Sequence, residues 1–170
     1  MSNLIRLVYV SRSSFEAAKD FSGIEPTVAR ILMQSRKNNP KQKIGGVLYY
    51  GNGFFFQCLE GYSDTVNALT SKIMKDDRHV DVQILKVNQI EDRLFKNWSM
   101  KYIPLEKDVV NVLKRHQVKE FNPYEFNDEL IDEFVSLFAK VSDPSEQADQ
   151  DYSDKPIKKS WWEKFTGLFR

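Results

Sequence analysis

The sequence predicts an α+β fold of the ferredoxin-like type: a β-α-β-β-α-β order with an extra strand, two helices on one face of a mainly antiparallel sheet, and further C-terminal helices. Two observations predict it. Segments in which apolar residues alternate are interrupted by segments in which they recur at helical spacing. The two central strands are joined by Gly51-Asn52-Gly53, which favours a tight hairpin because Gly and Asn tolerate positive φ.

The first strand is predicted over residues 4–10 and places Tyr9 on an apolar face. A helix follows and ends at Asn38-Asn39-Pro40, because the residue before a proline is steered away from the helical region. Pro26 suits the first turn of this helix. The residues that follow helical spacing along it are Val28, Ile31, Leu32 and Ser35.

The central hairpin has strands predicted over residues 44–50 and 54–60. Side chains alternate along a strand, so Gln57 shares a face with Phe55 and Leu59. A buried amide without a hydrogen-bond partner costs about 1–3 kcal/mol, so something polar must meet this side chain. In this topology the first strand lies beside the third, and we therefore expect Tyr9 to be a neighbour of Gln57.

A second helix is predicted next, with Ser63 or Asp64 as its N-cap. Its buried face carries Val66, Leu69 and Ile73. A strand over residues 80–87 follows, and a last strand is predicted over residues 98–103. The two side chains that share one face of that last strand are Trp98 and Met100.

Two further helices are predicted after Pro104, the second with Asn127 as its cap. Their apolar residues are Val109, Val110 and Leu113, then Leu130, Ile131, Phe134, Leu137 and Phe138. The chain then divides into a domain over residues 1–104, a helical extension over residues 105–142, and residues 143–170, an acidic linker that continues into a basic, aromatic tail.

Composition and charge exclude several classes of function. A formal net charge of +1 gives no overall basic surface, so no direct nucleic-acid contact is expected. The single cysteine, Cys58, is expected as a small core residue in a reducing, cytoplasmic compartment, and no signal peptide or membrane-spanning stretch is apparent. No metal-ligand spacing or phosphate-binding loop points to a metal or an enzyme. His79 follows a helix end, where a cation is favoured.

Polar residues gather where the first helix ends above the two paired strands: Tyr9, Gln57, Asn39 and Ser35. Together they describe a polar rim around an apolar slot, with Ile31 and Ile73, one from each helix, as its walls. A flat heteroaromatic ring with amide-like edges would fit such a slot. Taken singly, each of these residues also fits an ordinary core in which every buried polar group has a hydrogen-bond partner: Tyr9 would bond Gln57, and Asn39 would end a helix.

An ordered set of short motifs resembles the BLUF domain, a blue-light sensor that holds FAD. The resemblance covers roughly residues 3–104. Its elements are Arg6-Leu7-Val8-Tyr9-Val10-Ser11, Asn38-Asn39-Pro40 with Ile44-Gly45-Gly46-Val47-Leu48, Phe55-Phe56-Gln57-Cys58-Leu59-Glu60-Gly61, Asp77-Arg78-His79 and Trp98-Ser99-Met100. Each motif is weak by itself, but the ordered set is specific. By resemblance to short members of this family, we expect the helices after Pro104 on the sheet face opposite the flavin and the first two helices.

The resemblance implies four photoactive residues: Tyr9, Gln57, Met100 and Trp98. Tyr9 would give an electron and a proton, and Gln57 would lie between Tyr9 and the N5 and O4 atoms of the flavin. Light would leave the Gln57 amide rotated or tautomerised, with a donor toward O4 and an absorption shifted slightly to the red. The last strand, with Met100 and Trp98, would pass this change on.

The resemblance also implies the residues that bind the cofactor: Asn39, Gln57, Tyr9, Ile31, Ser35, Asn38, Phe55, Ile73, Arg78 and His79. Asn39 would bond the polar edge of the flavin, while Ile31 and Ile73 would sandwich the ring. Arg78 and His79 match a basic segment near the cofactor.

The implied function is an FAD-binding blue-light receptor without enzyme activity, of the short stand-alone type. It would signal through a homo-oligomer (a dimer or larger) or to a downstream signalling protein. The composition of the tail over residues 155–170 fits three alternatives: a solvated segment, a helix that docks on a partner protein, or a helix that lies on an anionic membrane surface. Two alternatives are an acylphosphatase-type enzyme, although no Gly-rich loop follows the first strand, and a light-independent ferredoxin-like protein-interaction module.

Overall fold

The computed structural model describes residues 2–16, 24–97, 99–103 and 106–141. Its elements are β1 (Leu4–Ser13), α1 (Pro26–Asn38), a 3-10 turn (Asn39–Gln42), β2 (Gly45–Gly51), β3 (Phe54–Tyr62), α2 (Ser63–Met74), β4 (His79–Gln89), β5 (Lys101–Ile103), α3 (Glu106–Arg115), a second 3-10 turn (Pro123–Glu125) and α4 (Asp128–Lys140). The predicted β-α-β-β-α-β order with an extra strand and C-terminal helices is confirmed. The linker and tail predicted over residues 143–170, and Trp98, lie outside the described residues.

The described strands form one sheet in the order β4-β1-β3-β2-β5. The pairs β1–β3, β1–β4 and β2–β3 are antiparallel, and the β2–β5 pair is parallel. Because β1 lies beside β3, Tyr9 and Gln57 are direct partners in the register, as the sequence predicted. Two irregularities in the β1–β4 register, one between Val8 and Tyr9, adjust the edge of the sheet beside this pair.

The hairpin between β2 and β3 turns over two residues. Asn52 has φ 52° and Gly53 has φ 77°, which is the combination that a two-residue turn of type I′ requires. This turn fixes the register of β3 against β2, and therefore the face on which Gln57 lies.

The sheet separates two hydrophobic cores. The core under α1 and α2 includes Leu7, Tyr9, Phe55 and Leu59, all fully buried. The core under α3 and α4 includes Val8, Val10, Phe56 and Cys58, the intervening residues of the same strands. Alternation along β1 and β3 thus divides their side chains between the two faces, and the C-terminal helices pack opposite α1 and α2, as predicted.

The first helix starts as expected, with Pro26 in its first turn and the Glu25 carboxylate accepting a bond from the Val28 amide at 2.9 Å. The predicted cap of α2 is wrong: Tyr62 is the N-cap, and Ser63 and Asp64 lie inside the helix. The reason is that β3 runs without a break into α2.

The last strand is shorter than predicted, because it begins at Lys101 and not at residue 98. Parallel pairing with β2 starts where Val47 faces Lys101. The carbonyls just before it are bonded by side chains of the α1 end: Asn39 Nδ2 donates to Ser99 O at 2.8 Å, and Arg36 Nε donates to Met100 O at 3.0 Å. Met100 therefore precedes the strand. Among the described residues, no helix is long and apolar enough to cross a membrane.

Candidate cofactor site

A cleft opens between α1, α2 and the sheet. Nine of the residues predicted to bind the cofactor line it: Tyr9, Ile31, Ser35, Asn38, Asn39, Gln57, Ile73, Arg78 and His79. Phe55 does not line the cleft. It is fully buried and packs against the His79 ring, with centroids 4.5 Å apart. Met100 lies behind Gln57, and Trp98 is outside the described residues.

Tyr9 and Gln57 form the floor of the cleft. The phenol of Tyr9 donates a hydrogen bond to Oε1 of Gln57, and Nε2 of Gln57 contacts Sδ of Met100 at 3.4 Å. Both side chains are almost completely buried, and burial raises the pKa of Tyr9 far above its usual range. The phenol therefore stays protonated at neutral pH, and the donor side of this bond is fixed.

The walls of the cleft are apolar and come from the two helices. Ile31 lies on α1, and Leu69 and Ile73 lie on α2 at a spacing of four residues, which places them on one helix face. Ser35 and Asn38 continue the α1 face of Ile31 at i+4 and i+7. The wall formed by α1 is therefore aliphatic at Ile31 and polar at Ser35 and Asn38.

Asn39 lies in the 3-10 turn after α1 and is buried. Its Nδ2 donates to the carbonyl of Ser99, so its amide joins the cleft to the segment that leads into β5. Pro40 ends α1 here, as the sequence predicted, and the turn keeps Asn39 at the rim.

The mouth of the cleft carries an ion pair. Arg78 donates to the Asp76 carboxylate through Nε at 2.9 Å and Nη2 at 2.5 Å, and its Nη2 also donates to Gln34 Oε1 at 2.8 Å across to α1. Hydrogen bonds from Arg78 hold the pKa of Asp76 below its usual range. With Lys72 also lining the cleft, two cations face one anion, which suits a negatively charged group.

His79 is not a cation at a helix end, contrary to the sequence-based expectation. It opens β4, is 7% exposed, and its Nδ1 shares a hydrogen bond with Ser11 Oγ at 2.8 Å. Burial lowers the pKa of His79 to about 4, so the ring is neutral at physiological pH. It lies edge-on to Tyr9, with ring centroids 6.1 Å apart.

Of the described residues that line the cleft, four were missed in the sequence: Gln34, Leu69, Lys72 and Asp76. Leu69 had a usable signal, since it lies one helical turn before Ile73 on the predicted buried face. Gln34 and Lys72 had none, because exposed polar residues of a helix look alike until the opposing helix is placed.

These residues fit the FAD that the resemblance implies. Aliphatic walls match the apolar faces of a flat ring, side-chain amides match an edge of alternating donors and acceptors, and the basic mouth matches phosphate. Tyr9 and Gln57 would lie at the ring's edge, Ile31 and Ile73 at its faces. Among the described residues, no group of three or more His, Cys, Asp or Glu could hold a metal ion.

Comparisons with known proteins agree with FAD as the cofactor. The family model described as sensors of blue light using FAD matches residues 4–101. The photoactivated adenylate cyclase subunit beta of Euglena gracilis is 30% identical over 100 residues, which are 58% of this chain but 11% of the relative. The chain thus spans about a tenth of the length of such curated relatives.

Two solved structures share the fold over most of this chain. BlsA in its ground state has a TM-score of 0.74 at 30% identity, covering 82% of this chain and 90% of BlsA. BlrB, a BLUF protein in its dark state, has a TM-score of 0.64 at 25% identity, covering 82% of this chain and 97% of BlrB. With more than half of its residues matched by the family model, the chain belongs to the BLUF family, the sensors of blue light that use FAD.

Proposed function

We propose that this protein is a blue-light receptor whose switch is the Gln57 amide and whose cofactor cleft is the one between α1 and α2. The observation that carries the proposal is the buried hydrogen bond from Tyr9 to Gln57 at the floor of that cleft. FAD, when bound, supplies blue-light absorption and accepts an electron. The described residues then sense light without carrying out a reaction on a substrate.

Tyr9 acts as the donor. Its phenol is neutral, since burial raises its pKa, and on losing an electron it also loses its proton along the existing bond to Gln57 Oε1. When the electron and the proton return to Tyr9, the amide of Gln57 is left turned. A primary amide suits this exchange because it carries an acceptor and donors on one planar group.

The turned amide can no longer donate a hydrogen bond to Met100. In the described state Nε2 of Gln57 faces Met100 Sδ, a weak acceptor. After the turn Oε1 faces that sulfur, which has no proton to donate, and Nε2 faces Tyr9. The contact with Met100 is therefore lost on turning, which gives the segment before β5 a state that differs between dark and light.

The experiment is a visible absorption spectrum of purified, FAD-loaded protein before and after blue light. We expect a reversible shift to the red, and we expect Gln57→Leu to abolish it because no amide remains. Gln34→Leu is the matched control: it removes a cleft glutamine that contacts Arg78 rather than Tyr9, and it should keep the shift. Protein that takes up no FAD, or a full shift in Gln57→Leu, would overturn the proposal.

For the output, we propose a downstream signalling protein or a homo-oligomer, a dimer or larger, in the cytoplasm. Support comes from the relatives, in which a similar segment is part of a much longer protein named an adenylate cyclase. Co-precipitation in light and in darkness, together with light scattering, tests both forms of output. Equal partner capture and equal mass in both conditions would contradict it.

We propose further that the aromatic, basic tail over residues 155–170 docks on that protein partner, since its four aromatic residues would be buried in an apolar groove and its lysines would pair with acidic residues beside that groove. An anionic membrane is the competing surface. Sedimentation with anionic and with neutral vesicles, comparing the full chain with residues 1–142, separates the two. Pelleting of the full chain alone, on anionic vesicles, would favour the membrane over a protein partner.

A further inference from the structure

The segment from Ser99 to Ile103 has one side toward the cleft and the other toward α4. Met100 and Tyr102 belong to the core under α1 and α2, whereas Ile103 belongs to the core under α3 and α4. Lys101 lies between them in the alternation and therefore projects toward α4. Two adjacent residues, Met100 and Lys101, thus contact opposite layers of the molecule.

Lys101 is 2% exposed, which is rare for a lysine. Its Nζ donates a hydrogen bond to the carbonyl of Ala139 at 3.3 Å. Ala139 is in the last turn of α4, where carbonyls lack donors from within the helix and the negative end of the helix dipole favours a cation. The buried ammonium therefore holds the end of α4 at which the described chain stops.

The backbone before Lys101 is tied to the cleft. Gln57 contacts Met100 Sδ, Asn39 bonds Ser99 O, and both of these side chains line the cleft. The strand itself is weakly held. β5 has three residues and lies at the edge of the sheet, so few backbone hydrogen bonds to β2 resist a displacement of β5. A change at Gln57 therefore acts on Met100, and the residue after Met100 is Lys101, which bonds α4.

We propose that Lys101 couples the turn of Gln57 to the C-terminal turn of α4, and so to the residues that follow position 141. This rests on the proposed function, because Gln57 must first switch. Lys101 is a positioning residue: it does not line the cleft, and its part is to carry a displacement of Met100 across the sheet. The output then leaves through the end of α4 rather than through α3, although α3 follows β5 in the chain.

The test is hydrogen–deuterium exchange of full-length, FAD-loaded protein in darkness and under blue light, with the absorption spectrum recorded on the same samples. In the unaltered protein we expect the light–dark difference at residues 135–141 to exceed that at residues 106–115. Lys101→Met should keep the red shift and lose most of the exchange difference, and Lys101→Arg should restore part of it. Lys86→Met is the matched control, since Lys86 also joins the sheet to α4, through Asp132 at 2.7 Å, but at the opposite edge.

The outcomes are distinct. A full exchange difference in Lys101→Met, or an equal loss in Lys86→Met, would overturn the coupling. If Lys101→Met does not fold, the unaltered protein still tests the coupling. A light–dark exchange difference at α3 with none at the end of α4 would overturn the coupling as well. An absent red shift in the unaltered protein would instead contradict the proposed function.

Discussion

At the scale of single residues, the hydroxyl of Tyr9 is the group on which the proposed switch depends. Tyr9→Phe removes the O–H that Gln57 accepts and leaves the ring's packing in place. We therefore expect FAD binding to survive and the light-induced red shift to disappear. Difference spectra before and after blue light measure this, with Tyr50→Phe as the control, because the Tyr50 hydroxyl bonds Ser13 and does not line the cleft. A full shift in Tyr9→Phe would show that another group is the donor.

His79 makes the stability of the protein depend on pH. Its pKa is about 4 when folded and 6.5 when unfolded, so between these values the unfolded chain binds more protons. Stability from the neutral ring is complete above pH 6.5 and is lost as the pH falls through that window toward 4. At pH 5 the loss is on the order of 2 kcal/mol relative to pH 7.5.

Denaturant titrations at pH 5 and pH 7.5 with saturating FAD check this expectation. His79→Gln keeps a side chain that can bond Ser11 but has no group that titrates in this range. The drop in unfolding free energy between the two pH values should therefore shrink in this variant. An equal drop in both proteins would assign the dependence to other groups.

At the scale of elements, β2 and β3 approach too closely for a side chain at Gly46. A Cβ there would lie 2.3 Å from the carbonyl oxygen of Cys58, the residue after Gln57. Gly46→Ala must push β3 away, so we expect a destabilisation of about 3 kcal/mol and a weaker red shift. Thermal unfolding and difference spectra measure the two effects.

Gly53→Ala is the comparison for that variant. A Cβ at Gly53 has room, with Ser13 Oγ at 3.9 Å as its nearest contact, but the φ of 77° is strained for alanine. The cost should be about 1 kcal/mol with an unchanged spectrum. Equal spectra in the two variants would mean that the β2–β3 spacing does not position Gln57.

The contact of α4 with the sheet is aromatic. Phe138 is fully buried, stacks on Tyr49 with centroids 5.5 Å apart, and meets Phe56 edge-on. Phe138→Ala should lower the free energy of unfolding by about 4 kcal/mol. Val110→Ala, at an exposed position of α3, should change it by no more than about 0.5 kcal/mol in denaturant titrations. Similar losses in both variants would contradict the packing described for α4.

At the scale of the whole molecule, the cleft and the proposed output at the end of α4 belong to different parts of the chain. Every described residue that lines the cleft lies between Tyr9 and His79. A chain of residues 1–142 should therefore bind FAD and show a red shift of unchanged size, measured by titration with FAD and by difference spectra. A smaller shift would mean that residues after 142 reach the cleft.

The sequence by itself determined the layers of the fold and the pairing of Tyr9 with Gln57. Alternation in β1 and β3, helical spacing in α1 and α2 and the Asn52-Gly53 turn are local properties of the chain, so they could be predicted from neighbours in sequence. They placed Tyr9 beside Gln57 and identified the amide as the unusual side chain on an apolar face.

Apart from the Tyr9–Gln57 pair, only the tertiary structure decided which partners the polar side chains of the cleft and of β5 meet. The neutral state of His79, the bond from Arg78 to Gln34 across the cleft, the start of β5 at Lys101 and the bond of Lys101 to Ala139 join residues far apart in the chain. The physical reason is that a period follows from the geometry of one segment, whereas burial, and with it a pKa or a hydrogen-bond partner, depends on which other segments pack against it.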